Sequence, residues 1–213
     1  MRAPGLSRTA AVALFVCLVG PGCERTEEPP GRTAKAAASI AADPVPTGPT
    51  APVAQPQNER CLVPLAEPAA PEAHPADECP RASEPAPILP RAQVQFVDAP
   101  GQPKVQVEVA ESPSHRERGL MFRTQMQADR GMIFTWPDEA RRGFWMRNTC
   151  IPLDMLFIAK DGFIVGALEQ VPVMNEAPRG VPCDAMHVLE VNAGYLRKHG
   201  VRPGQRVEIT RKK

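Results

Sequence analysis

Aromatic side chains make up 5% of this 213-residue chain, and none at all lies between residues 24 and 90. That stretch also holds 15 of the 26 prolines. Such a composition cannot bury enough apolar surface to offset the entropy of ordering the chain. No run is long and apolar enough to cross a bilayer, since Ala10 to Gly20 covers only about half of the ~30 Å hydrocarbon core. Charge of one sign is missing too. The chain carries +1 overall, and residues 91–213 mix 18 basic with 14 acidic side chains, so no basic field gathers nucleic acid. There is no glycine-rich phosphate loop and no serine nucleophile elbow. His115, His187 and His199 have no ligand spacing, so neither zinc nor any other cofactor is expected.

What is present begins at the N-terminus. Arg2 and Arg8 precede the short apolar run, and Gly22 stands before Cys23. This reads as a lipoprotein signal over residues 1–22, with Cys23 as the lipid-attachment residue and new N-terminus. An ordinary secretory signal cut nearby is the plainer alternative. The protein is expected outside the inner membrane, lipid-anchored to the cell envelope. Glu24 after the cysteine favours the outer membrane. Residues 23–90 then read as a disordered tether, spanning very roughly 45 Å as a flexible chain and longer where proline stiffens it.

Residues 91–213 carry both tryptophans, the one tyrosine and six of the seven phenylalanines, enough for one core. Gln93–Asp98 and Lys104–Ala110 alternate as half-buried strands around an Ala99-Pro100-Gly101 turn. Ser112-Pro113 opens a short helix that Gly119 ends. Gly131–Trp136, Gly143–Arg147 and Leu153–Ala159 read as strands, and Asp161-Gly162 turns into Phe163–Val171. Val188–Val191 is another strand, Asn192 is expected to cap a helix to His199, and Val207–Ile209 closes the domain. The fold class is therefore α+β: a small, strand-rich, curled or barrel-like sheet with two short helices.

Five segments carry a family resemblance: Arg118-Gly119-Leu120-Met121-Phe122-Arg123, Gly131-Met132-Ile133-Phe134, Phe144-Trp145-Met146-Arg147-Asn148-Thr149, Ile151-Pro152-Leu153-Asp154-Met155-Leu156-Phe157-Ile158 and Leu189-Glu190-Val191-Asn192-Ala193-Gly194. Over about residues 94–210 the chain resembles the domain of unknown function 192 family. The resemblance implies a compact β-rich fold, often found behind a signal or membrane segment, and implies no reaction. Cys150 departs from that pattern, standing where the family commonly has an aliphatic or aromatic residue.

With Cys17 lost and Cys23 lipidated, Cys61, Cys79, Cys150 and Cys183 allow three pairings. Cys61 with Cys79 and Cys150 with Cys183 is the simplest, each bond staying within one segment. The rival is a nucleophilic Cys150 served by His187. Seven of eight methionines lie in the folded part; thioethers can hold Cu(I), but Met121, Met132, Met146 and Met155 sit in apolar runs where methionine fills core space.

Asp154 is the most informative polar residue, because a carboxylate between Leu153 and Met155 must find hydrogen bonds or a cation. It either fastens the connection at Pro152 together with Asn148 and Thr149, or joins Trp145, Asn148, Thr149 and Glu190 on the wall of a ligand-binding cleft. The expectation is an envelope-anchored, non-enzymatic accessory domain for an envelope protein, peptide or glycan, with no catalytic residue. Alternatives are an envelope hydrolase with Asp154 and Glu190 as acid and base, or a structural spacer.

Overall fold

The computed structural model describes residues 60–212. Cys23 and residues 23–59 of the expected tether lie outside them. No helix among the described residues is long and apolar enough to cross a membrane.

The strands are β1 (Arg91–Phe96), β2 (Lys104–Ala110), β3 (Arg130–Ala140), β4 (Leu153–Ile158), β5 (Ile164–Val171), β6 (Ala185–Asn192) and β7 (Val207–Arg211); the helices are α1 (Pro113–Arg118) and α2 (Tyr195–His199). They form one seven-stranded sheet in the order β5-β4-β6-β3-β2-β1-β7. Among the described residues only the β2–β3 pairing is parallel. Parallel neighbours need a crossover, and α1 lies within that connection. The sheet curls without closing. Its two edges meet at one corner, where Phe163 bridges Arg206 and the Ile164 N–H donates to the Gln205 carbonyl at 2.9 Å.

Both faces of the sheet are apolar. Met132, Phe134, Leu153, Met155, Phe157 and Val188 pack on one side. Val94, Val105, Val107, Leu156, Ile158, Leu189 and Val191 pack on the other, beneath Tyr195 and Leu196 of α2. Period-two alternation produces this division, and β4, buried at every position, reads as a continuous apolar run because both its faces are covered. Met132, Met146 and Met155 fill core space, each no more than 1% exposed. At Gly131 a Cβ would run into the Glu190 carbonyl, so only glycine lets β3 approach β6 there.

Beyond shifts of two or three residues at the ends of β1 and β6, expected and observed elements differ at three places. Gly143–Arg147 is not a strand; Phe144 and Arg179 exchange a pair of 2.8 Å backbone bonds as an isolated bridge. Asn192 does not cap α2. It ends β6 and donates its amide to the carbonyls of Met126 and Gln127, both at 3.1 Å, while left-handed Gly194 (φ 82°) precedes the helix. β3 runs on past Trp136 through Pro137, tolerated by a register shift between Thr135 and Ala140.

The largest correction concerns residues 60–90, which do not behave as a tether. They lie along the domain as a strap. The Val63 N–H donates to Val165 O at 2.8 Å, Ala73 N–H to Gln170 Oε1 at 3.0 Å and Ala76 N–H to Cys150 O at 2.9 Å. Arg60 pairs with Asp161, Arg197 with Glu67 at 2.9 Å, and Arg118 donates to Glu84 O at 3.0 Å. The disulfides follow from this docking: Cys61 joins Cys183, and Cys79 joins Cys150, each with Cα atoms 5.6 Å apart. The within-segment pairing is thus incorrect, because the strap carries each of its cysteines to a partner in the domain. The bond to Cys79 also removes Cys150 as a nucleophile, and His187 Nδ1 instead shares a 3.1 Å hydrogen bond with Thr135.

Candidate functional site

The short helix α1 is built to end beside the sheet. The Ser112 hydroxyl accepts from the His115 N–H at 3.2 Å, Pro113 opens the helix, and Gly119 closes it at φ 46°, a conformation that favours glycine. The chain then turns Leu120 inward, and a cleft of about 390 Å³ opens between this turn and the sheet. Phe134 and Trp136 of β3, Phe144, Trp145 and Thr149 of the following loop, Leu120 and Glu190 of β6 form its walls. Phe144 packs edge-on to Phe134 with ring centroids 4.9 Å apart and edge-on to Trp136 at 6.1 Å. Both tryptophans of the chain line the cleft. Trp145 is 41% exposed at its mouth, with the Arg147 guanidinium 4.3 Å from the ring centroid.

Glu190 is the polar residue that stands out. It is 4% exposed, and its carboxyl, which makes no hydrogen bond among the described residues, keeps solvent contact at the cleft wall. Burial pushes it up to about 8, and the charge of Arg123 opposes that rise. Arg123 is itself committed to Glu108, with contacts of 2.9 and 2.6 Å. Burial therefore favours the protonated form of this carboxyl.

Asp154 has a different place. It pairs in register with Val191, whereas Glu190 pairs with Met155. Directly opposed residues share a face and successive residues alternate, so Asp154 and Glu190 point to opposite sides of the sheet. Asp154 is fully buried and accepts the Gln170 N–H at 2.9 Å and the Leu196 N–H at 3.0 Å. It ties β4 to β5 and to α2. Burial pushes its carboxyl up, and the Leu196 and Gln170 bonds pull it part of the way back.

Of the five residues expected on a cleft wall, Trp145, Thr149 and Glu190 converge there. Asp154 does not, and a carboxylate pair of Asp154 with Glu190 is ruled out by the sheet between them. Asn148 turns the loop at φ 53° and accepts the Phe122 N–H at 2.7 Å through its carbonyl, a fastening role. Thr149 also secures the loop, its carbonyl accepting from Met174 N–H at 3.1 Å. The sequence reading missed Phe134, Trp136, Phe144 and the α1 residues Arg116 and Arg118. The proximity of α1 to an aromatic cluster was the available signal, but only the parallel crossover brings them together.

The matching sequence segments can now be placed on this geometry. The family model described as domain of unknown function 192, uncharacterized ACR, matches residues 96–209, more than half of the sequence. The chain belongs to this family. Its helix-turn, β3, the cleft loop and β6 all fall within the match. A crystal structure from Sinorhizobium meliloti 1021, provisionally described as a transcription regulator, is 38% identical, with a TM-score of 0.54 over 57% of this chain and 96% of its own. A second, a protein of unknown function from Novosphingobium aromaticivorans DSM 12444, is 31% identical, with a TM-score of 0.53 over 67% of this chain and 94% of its own. No curated protein matches the sequence.

Proposed function

We propose that this domain of unknown function 192 member is an exported accessory protein, held at the envelope by lipid on Cys23, whose folded domain binds a small ligand in the aromatic cleft. The observation that carries the binding reading is the cleft itself, about 390 Å³ walled by four aromatic side chains, into which the 4% exposed Glu190 brings a carboxyl that makes no hydrogen bond among the described residues. A cleft of this volume has the make-up of a small-molecule site, where apolar walls supply affinity and a few polar groups orient the ligand.

Export is supported separately. Two disulfides that cross-link a strap to a domain persist in an oxidising compartment and not in a reducing cytosol.

The binding reading is tested by titrating the full mature protein with octanol, octanoate and octylammonium while following tryptophan fluorescence, since both tryptophans border the cleft. A saturable change that Phe134→Ala weakens at least tenfold is expected. No saturable response to any of the three would sink the reading. Anchoring is tested apart from it, by the mass of the mature N-terminus: an acylated Cys23 is expected, and an unmodified one removes the anchor.

A further inference from the structure

The geometry points to a small carboxylate with an apolar tail as the occupant of the cleft, its head held by Arg116 and its tail lying among Leu120, Phe134 and Phe144. This assignment rests on the binding reading above and names the chemistry of the ligand. It follows from the charges at the wall. Arg116, Glu117 and Arg118 all line the cleft, but Glu117 is turned to Arg147 at 3.3 Å. The two arginines have no carboxylate partner among the described residues.

Their positions are nonetheless fixed. Arg116 donates through one nitrogen, Nη1, to the carbonyls of Glu111 and of Thr135, the latter at 3.1 Å, and its guanidinium lies 5.1 Å from the Trp136 ring centroid. Arg118 uses Nη2 on Glu84 O and lies 4.6 Å from the Phe122 centroid; neither of these residues lines the cleft, so Arg116 is the arginine placed to meet a ligand head. Each keeps further N–H donors available, and both remain charged at any physiological pH. A pre-positioned guanidinium loses less freedom on binding an oxyanion than a mobile one does.

A cationic head fits poorly. It would enter beside Arg116, and the nearby Glu117 is already paired with Arg147. A neutral amphiphile would leave Arg116 without the anion its placement favours. The cleft therefore offers unmatched donors, and a ligand carboxylate supplies the acceptors.

The test is the same titration read as a ranking, at pH 6.5 and low ionic strength, with octanoate, octanol and octylammonium chloride. Octanoate is expected to bind at least tenfold tighter than octanol, with octylammonium weakest. In Arg116→Gln the octanoate advantage over octanol should shrink at least threefold. Octylammonium binding as well as octanoate, or an octanoate advantage that survives in Arg116→Gln with the fold intact, overturns the assignment. Saturable octanol binding with no preference for octanoate overturns it while leaving the binding reading standing; no binding by any probe removes both.

Discussion

Asp154 and Glu190 lie on neighbouring strands one register step apart, yet they face opposite sides of the sheet, the first locked by backbone donors and the second open to a cleft. The same residue class thus serves two physical purposes. Asp154 holds α2 against the sheet, and its removal leaves the Gln170 and Leu196 N–H groups unsatisfied. At about 1–3 kcal/mol for each buried unsatisfied donor, Asp154→Ala should lose about 3 kcal/mol in urea unfolding, and the folded fraction should bind octanoate as the parent does. A stable Asp154→Ala protein that has lost ligand binding would reassign the residue to the cleft.

Glu190 predicts the pH dependence. Its folded-state value, about 8, is above the ordinary value of 4.5, so the folded form holds this proton more tightly than the unfolded chain does. Its stabilising contribution is complete below about 4.5 and is lost as pH rises toward about 8, at up to about 1.4 kcal/mol per pH unit. The charged group that bears on it is Arg123, itself paired with Glu108. Glu190→Gln, which cannot ionise, should unfold with a flatter pH profile across this window and be more stable than the parent at pH 8.5. Equal slopes for the two proteins would show that Glu190 ionises freely.

The strap predicts a peptide map. Non-reducing digestion should yield one cross-linked pair containing Cys61 and Cys183 and another containing Cys79 and Cys150. The bonds close sequence separations of 122 and 71 residues. On loop-closure entropy alone each is worth about 4–5 kcal/mol, and native strain reduces that. Reduction should therefore lower the urea midpoint markedly. A Cys61–Cys79 peptide would contradict the docking of residues 60–90.

How far the fold was legible depended on whether local pattern and tertiary position agreed. Val105, Val107 and Val109 alternate with polar residues, and β2 begins and ends where that pattern places it, at Lys104 and Ala110. Ser112, Pro113 and Gly119 punctuate α1 as cap, first turn and stop. The strap was illegible because its composition is that of an unfolded chain; its order comes from two disulfides and backbone bonds to β5 and the cleft loop, none of which leaves a periodic trace. The cleft was half legible for a related reason. Trp145, Thr149 and Glu190 stand out as polar or aromatic residues in apolar runs, whereas Phe134 and Phe144 look like ordinary core until the crossover through α1 opens space beside them.

Gly131 gives a prediction that links the sheet to the cleft. A Cβ at this position collides with the Glu190 carbonyl, and Val105 and Val191 side chains stand 3.3 Å from it on the same side. Because the main obstacle is backbone in a paired strand, a side chain cannot simply rotate away; β3 and β6 must separate where Gly131 pairs with Val191. Gly131→Ala should therefore destabilise the domain by about 2 kcal/mol or more, in the range of overpacking a tight core. Because β3 and β6 carry Phe134 and Glu190 to the cleft, octanoate affinity should also fall in the fraction that remains folded, whereas Gly143→Ala, where a Cβ meets the open space of the cleft, should leave stability unchanged. Urea unfolding of the two variants and tryptophan titration of Gly131→Ala decide the matter, and equal stability of the two with parental octanoate affinity would show that the β3–β6 approach is not what shapes the cleft.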